Sequence, residues 1–155
     1  MNLGILCLLL LVVPIVWAKG CLWLRRNVQI RLNLLLLAAA VLAIGRITVW
    51  SRTPGEYAVV LRPLAALQAA RQEPELYREM LMNVILFYPL GLTLTVLIGS
   101  WSIVVAFVLS FGIEVWQYVA GTGVAQGSDV LMNTLGCVVG AVPYFIRCVW
   151  RKKRD

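Results

Sequence analysis

Residues 102–120 read SIVVAFVLSFGIEVWQYVA and decide the fold, because this long apolar run contains a single charged residue, Glu114. An α-helix rises about 1.5 Å per residue, so a run of this length is close to the thickness of a bilayer's hydrocarbon core. Further apolar runs bounded by charged residues cover 3–18, 33–50, 81–98 and 129–149. The pattern predicts an all-α membrane protein, a bundle of about five transmembrane helices.

The composition agrees with this fold class. Of the 155 residues, 61% are hydrophobic and only 14% are charged, whereas a soluble domain has about 25% charged residues. Histidine is absent and the four cysteines show no metal-ligand spacing, which excludes Ser-His-Asp and Cys-His catalysis and metal binding through imidazole. We therefore expect no metal and no cofactor. We also expect no nucleic-acid partner, since no soluble domain is predicted to carry a basic surface.

Lysine and arginine predict the orientation in the membrane. They cluster in the loop after the first run and in the tail, at Lys19, Arg25, Arg26, Arg31, Arg147, Arg151, Lys152, Lys153 and Arg154. Cytoplasmic loops are enriched in these residues, so both segments should face the cytoplasm, with the N-terminus outside and the C-terminus inside. No basic residue precedes 3–18, whereas a signal peptide needs one, so we interpret this run as a retained helix, with cleavage as the alternative.

The chain divides into three predicted segments. Residues 1–32 form an N-terminal transmembrane helix and a basic cytoplasmic loop, 33–149 form the main membrane domain, and 150–155 form a basic cytoplasmic tail. Residues 56–70 carry apolar side chains at helical spacing around Pro63. That spacing predicts an interfacial or re-entrant helix outside the main spans.

A polar stripe runs along the fourth predicted span. Ser110, Glu114 and Gln117 share one face at about 100° per residue, and an acid in an apolar helix costs several kcal/mol unless it faces protein or water. Under the predicted orientation, polar residues of four spans meet in the outer third of the membrane. The predicted ligand-binding residues are Arg52, Asn83, Ser110, Glu114, Gln117, Asp129 and Asn133. Glu114 and Asp129 are also the candidate catalytic residues.

Small residues and a proline predict close helix packing. Gly136 and Gly140 form a GxxxG surface where another helix can approach, and we expect the fourth and fifth spans to pack face to face with Glu114 near Asn133. Pro89 and Gly91 interrupt the third span and should kink it.

Each of these polar residues also has a purely structural interpretation. Asp129 could cap the fifth helix, and the two asparagines could bond between helices. Arg52 could anchor the protein at the interface, and Glu114 could form an ion pair that holds the bundle together.

The same residues resemble the VanZ-like family of membrane proteins. The resemblance covers about 46–145 and rests on three motifs: NVILFYPLG at 83–91, SFGIEVWQ at 110–117 and DVLMNTLGCVVG at 129–140. In this family the loop before the aspartate usually contains an arginine and acids, whereas this chain has Thr122, Gln126 and Ser128 there. The resemblance implies a multi-pass protein of the bacterial cytoplasmic membrane with a cell-envelope role. It also implies lower susceptibility to lipoglycopeptides such as teicoplanin, without naming a reaction.

Three functions compete at this stage. The first is binding or handling of a lipid-linked or amphipathic envelope molecule, either a membrane lipid or a lipid-linked cell-wall precursor. The second is an intramembrane enzyme that acts on a lipid phosphate or glycolipid through Glu114 and Asp129. The third is a structural subunit that docks a membrane partner or a second copy of itself. We favour the first, which is not enzymatic.

Overall fold

The computed structural model describes residues 26–50, 55–60, 68 and 72–152. The first predicted span at 3–18, Arg52 and most of the predicted helix at 56–70 lie outside these ranges. Within the described residues, four helices are long and apolar enough to cross a membrane. This confirms the predicted all-α, membrane-type fold.

The hydropathy prediction locates these four helices correctly, but it starts two of them too late in the sequence. The helices are α1 (Arg26–Gly45), α2 (Pro74–Ile98), α3 (Trp101–Ala120) and α4 (Gly127–Lys152), and a π-helical turn (Arg46–Trp50) extends α1. Both α1 and α2 begin seven residues before their predicted spans, in polar sequence that a hydropathy criterion does not count. Pro74 occupies the first turn of α2, where a missing N–H costs no hydrogen bond.

A two-stranded parallel sheet closes one end of the described bundle. It pairs β1 (Glu56–Val60) with β2 (Thr122–Gln126), and Gly55 N donates to Gly121 O at 2.8 Å just before the strands begin. Gly121 has a φ of 62°, a conformation that glycine adopts without strain and that lets the chain leave α3 abruptly. The predicted helix is therefore wrong for 56–60, because pairing with β2 outweighs a helical spacing that five residues specify only weakly.

The closest helix contact joins α2 and α4. The backbone of Gly136 lies against the Val84 carbonyl and that of Gly140 against the Tyr88 carbonyl, and a Cβ at either glycine would overlap these atoms. Both contacts have the same offset, since 136 − 84 and 140 − 88 each give 52, so the two helices run parallel. The glycine surface of α4 thus faces α2, while the predicted contact between α4 and α3 is also present and includes the hydrogen bond from Asn133 to Ser110.

The bundle carries polar side chains inside and apolar side chains outside. The buried face of α3 includes Ser102, Ser110, Glu114 and Gln117, while its exposed face is formed mainly by valine and aromatic residues. The middle of the bundle is apolar, with Ile44, Phe87, Leu90, Ala106, Ile113 and Cys137 packed together. Two groups of polar side chains lie on either side of this apolar centre.

Candidate functional site

Polar side chains from all four described helices lie at the end of the bundle that carries the sheet. The extended α1 and α3 end there, and α2 and α4 begin there. We call this group the sheet-end cluster: Thr48, Asn83, Ser110, Glu114, Gln117, Thr122, Asp129 and Asn133. Most of its members are buried, and Asn83 and Thr122 are half-buried. Six of the eight are residues that the sequence predicts for the site.

The contact between α3 and α4 places the two buried carboxylates, Glu114 and Asp129, at a similar depth along the bundle axis. Asn133 Nδ2 donates to Ser110 Oγ at 2.9 Å. Glu114 lies one turn beyond Ser110 and Asp129 one turn before Asn133, and the two helices run in opposite directions, so both acids lie on the sheet side of this bond. Each is only 6% exposed. The prediction had Glu114 near Asn133, and the bonded partner of Asn133 is Ser110, one turn away.

Glu114 connects α3 to the sheet. Its Oε2 accepts a hydrogen bond from the backbone N–H of Gln126, the last residue of β2, at 2.7 Å. Hydrogen bonds to an ionised carboxylate are about twice as strong as neutral ones. The acid therefore holds the loop that departs from the family pattern, in addition to any contact it makes with a ligand.

Gln117 connects α3 to the π-helical turn after α1. Its Nε2 donates to the Thr48 carbonyl at 2.9 Å, and the Thr48 hydroxyl donates to the Ile44 carbonyl at 2.7 Å. Because the Thr48 carbonyl can only accept, Gln117 must turn its nitrogen toward α1 and its Oε1 away from it. Thr48 was missed by the sequence analysis, and no sequence pattern marks the π-helical turn.

Several atoms of the sheet-end cluster are buried without a hydrogen-bond partner. Within the part of the chain that the structure describes, they are Asn83 Nδ2, Gln117 Oε1, Thr122 Oγ1 and Asn133 Oδ1. Each such atom costs about 1–3 kcal/mol in a folded protein. Atoms of this kind are therefore informative about what the site accepts.

The remaining predicted residues lie elsewhere. Pro89 is exposed and α2 continues through it, with the Pro89 carbonyl accepting a hydrogen bond from the Thr93 hydroxyl at 2.8 Å. Gly91 packs against the Cys137 carbonyl of α4. Arg46, a charged residue inside the predicted span at 33–50, is exposed and so lies outside the buried cluster.

A second polar group lies at the opposite end, near the turn between α2 and α3. We call it the turn-end cluster: Asn33, Thr93, Thr95, Ser102 and Cys137. Asn33 Nδ2 donates to the Thr93 carbonyl at 2.8 Å, the hydroxyls of Thr95 and Ser102 bond at 2.7 Å, and Cys137 Sγ donates to the Ser102 carbonyl at 3.5 Å. The sequence analysis missed this group. Its available signal was the continuation of the polar stripe of α3, since Ser102, Ala106, Ser110 and Glu114 follow one another at intervals of four.

The chemistry of the sheet-end cluster is that of carboxylates, amides and hydroxyls. Among the described residues, no three or more Cys, Asp or Glu side chains are grouped so that they could hold a metal ion. The cluster can donate and accept hydrogen bonds and can carry negative charge.

Comparisons with known proteins identify the family to which this chain belongs. The VanZ/LLP1 family matches residues 3–148. Protein VanZ of Enterococcus faecium is 36% identical over 72 residues, which are 44% of this chain and 45% of that protein, so the match spans less than half of that relative. No solved structure matches the chain. Because the family match extends over nearly the whole sequence and includes all three quoted motifs, this chain belongs to the VanZ/LLP1 family.

Proposed function

We propose that this protein binds the polar head group of an amphipathic envelope molecule at the sheet-end cluster. The molecule would be a membrane lipid or a lipid-linked cell-wall precursor. The observation that carries the proposal is the convergence of polar side chains from four helices, most of them buried and two of them carboxylates, inside a bundle with an apolar exterior. Polar groups inside a membrane protein are costly, and they usually mark a path or site for a polar ligand.

The proposed orientation places this site at the outer face of the bacterial cytoplasmic membrane. The distribution of basic residues supports it, because α1 begins and α4 ends at the opposite end of the bundle, and these described ends carry Arg26, Arg31, Arg151 and Lys152. A head group in the outer leaflet would then meet the cluster, while its acyl or prenyl chain lies along the apolar helix surfaces.

The proposal is tested by identifying lipids that remain bound during purification. Native mass spectrometry of wild-type protein should detect a bound amphipathic molecule, and Glu114→Gln or Arg52→Ala should lower its occupancy. Glu79→Gln is the matched control, because Glu79 is an exposed acid on α2 outside the cluster. If all four proteins carry the same lipids in the same amounts, the head-group site is wrong.

Membership of the VanZ/LLP1 family suggests an effect on antibiotic susceptibility of the cell. The resemblance to proteins named for teicoplanin resistance supports the proposal that expression lowers susceptibility to lipoglycopeptides. Minimum inhibitory concentrations of teicoplanin should rise with wild-type protein and rise less with Glu114→Gln at matched expression. An unchanged concentration with wild-type protein would remove the resistance role for this member.

An enzymatic role is the second candidate, and the common level of Glu114 and Asp129 favours it. Two carboxylates across a helix interface can act as an acid and a base on a lipid phosphate or glycosidic bond. Turnover of a labelled envelope lipid that disappears in Asp129→Asn would replace binding by catalysis. Retained lipid binding without turnover in wild-type protein would exclude it.

The structural-subunit interpretation loses one of its supports. Gly136 and Gly140, which could have docked another protein, already contact α2 of the same chain. A partner or a second copy would have to use another face. Glu114→Gln separates the roles, because a structural acid predicts poor assembly, whereas a binding acid predicts a folded protein with altered binding.

A further inference from the structure

We infer that the end of the bundle opposite the sheet binds the phosphate groups of anionic phospholipids. At this end α1 and α3 begin, and α2 and α4 end. The inference goes beyond the proposed function, because it concerns a second lipid surface at the other end of the molecule. It follows from the distribution of charge along the bundle axis.

Charged residues are segregated between the two halves of the described bundle. All six acids of the described residues lie in the half that carries the sheet, at Glu56, Glu73, Glu75, Glu79, Glu114 and Asp129. The opposite half has basic residues and, within the described ranges, no acid. We call these residues the turn-end cations: Arg26, Arg31, Arg147, Arg151 and Lys152. No acid of the described chain is therefore available at that end to neutralise them.

Two of the turn-end cations lie at a similar depth, although they belong to different helices. Asn33 Nδ2 bonds to the Thr93 carbonyl of α2 at 2.8 Å, and Arg31 lies two residues nearer the end of the bundle. Gly140 lies beside the Tyr88 carbonyl of α2, and Arg147 lies seven residues further, about 10 Å along the axis. Both arginines therefore lie near the depth of the last turn of α2.

This depth corresponds to the membrane interface. Both Arg31 and Arg147 are exposed. Trp101, the first residue of α3, follows the last turn of α2 by three residues and is 69% exposed. Tryptophan side chains are enriched at the boundary between hydrocarbon and water. The two arginines thus lie where phospholipid phosphates are found.

The helix ends at this surface also favour an anion. The N-terminus of a helix carries partial positive charge, which an acid in the first turn usually offsets. The first turns of α1 and α3 contain no acid, and Ser100 makes no side-chain capping bond to α3. The first residue of α1 is even a cation, Arg26, at a position where a cation is unfavourable. The charge of the helix ends therefore does not account for Arg26, whereas an anion bound from outside does.

The surroundings of the arginines favour a phospholipid over free phosphate. A guanidinium group can form two parallel hydrogen bonds to a phosphate. Leu35 on α1 and Ile146 on α4 lie close in sequence to the two arginines and are 67% and 52% exposed. Acyl chains can cover these side chains while the phosphate contacts the cations. A zwitterionic head group would bring an ammonium group to the same surface, so we expect a net negative lipid to bind better.

The test compares lipids of different charge on the full-length protein. Protein in neutral detergent micelles is titrated with phosphatidylglycerol and phosphatidylethanolamine of identical acyl chains, and with glycerol phosphate as the soluble phosphate. Native mass spectrometry measures the bound fraction. We expect phosphatidylglycerol to bind at least about tenfold more tightly than phosphatidylethanolamine, where tenfold corresponds to about 1.4 kcal/mol. Glycerol phosphate should bind more weakly than either lipid.

Variants with equal changes of charge locate the surface. A basic residue near a membrane surface contributes about fivefold in affinity for anionic lipid, which corresponds to about 1 kcal/mol. Combining Arg31→Gln with Arg147→Gln should therefore weaken phosphatidylglycerol binding roughly 10- to 30-fold. Combining Arg46→Gln with Arg78→Gln is the matched control, because both arginines are exposed in the half that carries the sheet. Combining Arg31→Lys with Arg147→Lys retains the charge and should retain most of the binding.

Every outcome decides for or against this surface. Equal binding of the two lipids, or an equal loss in the two glutamine pairs, would overturn the inference. Glycerol phosphate that binds as tightly as phosphatidylglycerol would identify a soluble phosphate as the ligand and would also overturn it. An equal loss in the lysine and glutamine pairs would indicate damaged packing instead of lost charge. None of these results bears on the sheet-end cluster, so failure here leaves the proposed function to its own test.

Discussion

The two polar clusters of this bundle differ in how completely their hydrogen bonds are satisfied. The turn-end cluster contains neutral side chains, and its polar groups bond mainly to one another or to backbone carbonyls, with Asn33 Oδ1 as its unpaired buried atom among the described residues. The sheet-end cluster contains two carboxylates and four unpaired buried atoms. The turn-end group has the properties of a helix-joining contact, whereas the sheet-end group is the one that we propose as the binding site.

The largest effect should come from the contact that supports both clusters. Gly136→Leu would force a side chain into the Val84 carbonyl, so we expect a loss of about 3 kcal/mol or more, or no folded protein. Gly112→Leu is the control, because Gly112 is exposed and has open space around it. Unfolding in mixed SDS micelles measures both. Equal stability of the two variants would contradict the α2–α4 contact.

The next effect separates the two roles of Glu114. Glu114→Leu removes the acceptor for Gln126 N–H, and a hydrogen bond to a charged group contributes about 1.5–3 kcal/mol. Amide exchange at Gln126 should therefore become roughly 10 to 100 times faster. Glu114→Gln keeps an acceptor oxygen and should change this exchange much less while still impairing ligand binding. Equal exchange in both variants would mean that the bond does not hold β2.

A smaller effect is expected in the turn-end cluster. Thr95→Val breaks the hydroxyl bond to Ser102, and such interhelical bonds contribute about 0.6 kcal/mol on average and up to about 1.7 kcal/mol in membranes. Thr95→Ser retains the hydroxyl as a control for its loss. Stability should fall by this amount with lipid binding unchanged. A loss of binding without a loss of stability would assign the turn-end cluster a functional role.

The smallest change in stability is expected at Asn33 of the turn-end cluster. Asn33→Leu removes one hydrogen bond to Thr93, but it also removes the unpaired Oδ1 of the same residue. These changes oppose each other, so the free energy of unfolding should change by less than about 1 kcal/mol. Denaturant unfolding measures it. A loss well above this value would show that the turn-end cluster depends on Asn33 far more than its bonds indicate.

The helices could be predicted because a bilayer leaves the chain few alternatives. Backbone groups cannot remain unpaired in hydrocarbon, so an apolar run of sufficient length must be helical. The ends of α3 agree with its predicted span for this reason. The early starts of α1 and α2 escaped prediction, since their first turns are polar and resemble loop sequence.

The polar residues of the site could be named, but their partners could not. Glu114 and Asp129 are conspicuous because charges are rare in apolar helices. Thr48 and Ser102 are not conspicuous, since a Thr or Ser hydroxyl can bond a carbonyl of its own helix at almost any place in a span. The bond between Glu114 and β2 was also beyond sequence analysis, because it depends on how the chain turns between α3 and β2 and no sequence pattern specifies that turn.

By itself, the sequence determined that this chain is a helical membrane protein of the VanZ/LLP1 family with scarce polar residues near one end of its spans. Hydropathy and motif order are sufficient for that, because both are local properties. Only the tertiary structure decided that the glycines of α4 face α2, that residues 56–60 form a strand, and that two polar clusters flank an apolar centre. These features depend on which helix faces meet, and a helix with a polar stripe and a glycine surface can satisfy them against more than one neighbour until the whole bundle is packed.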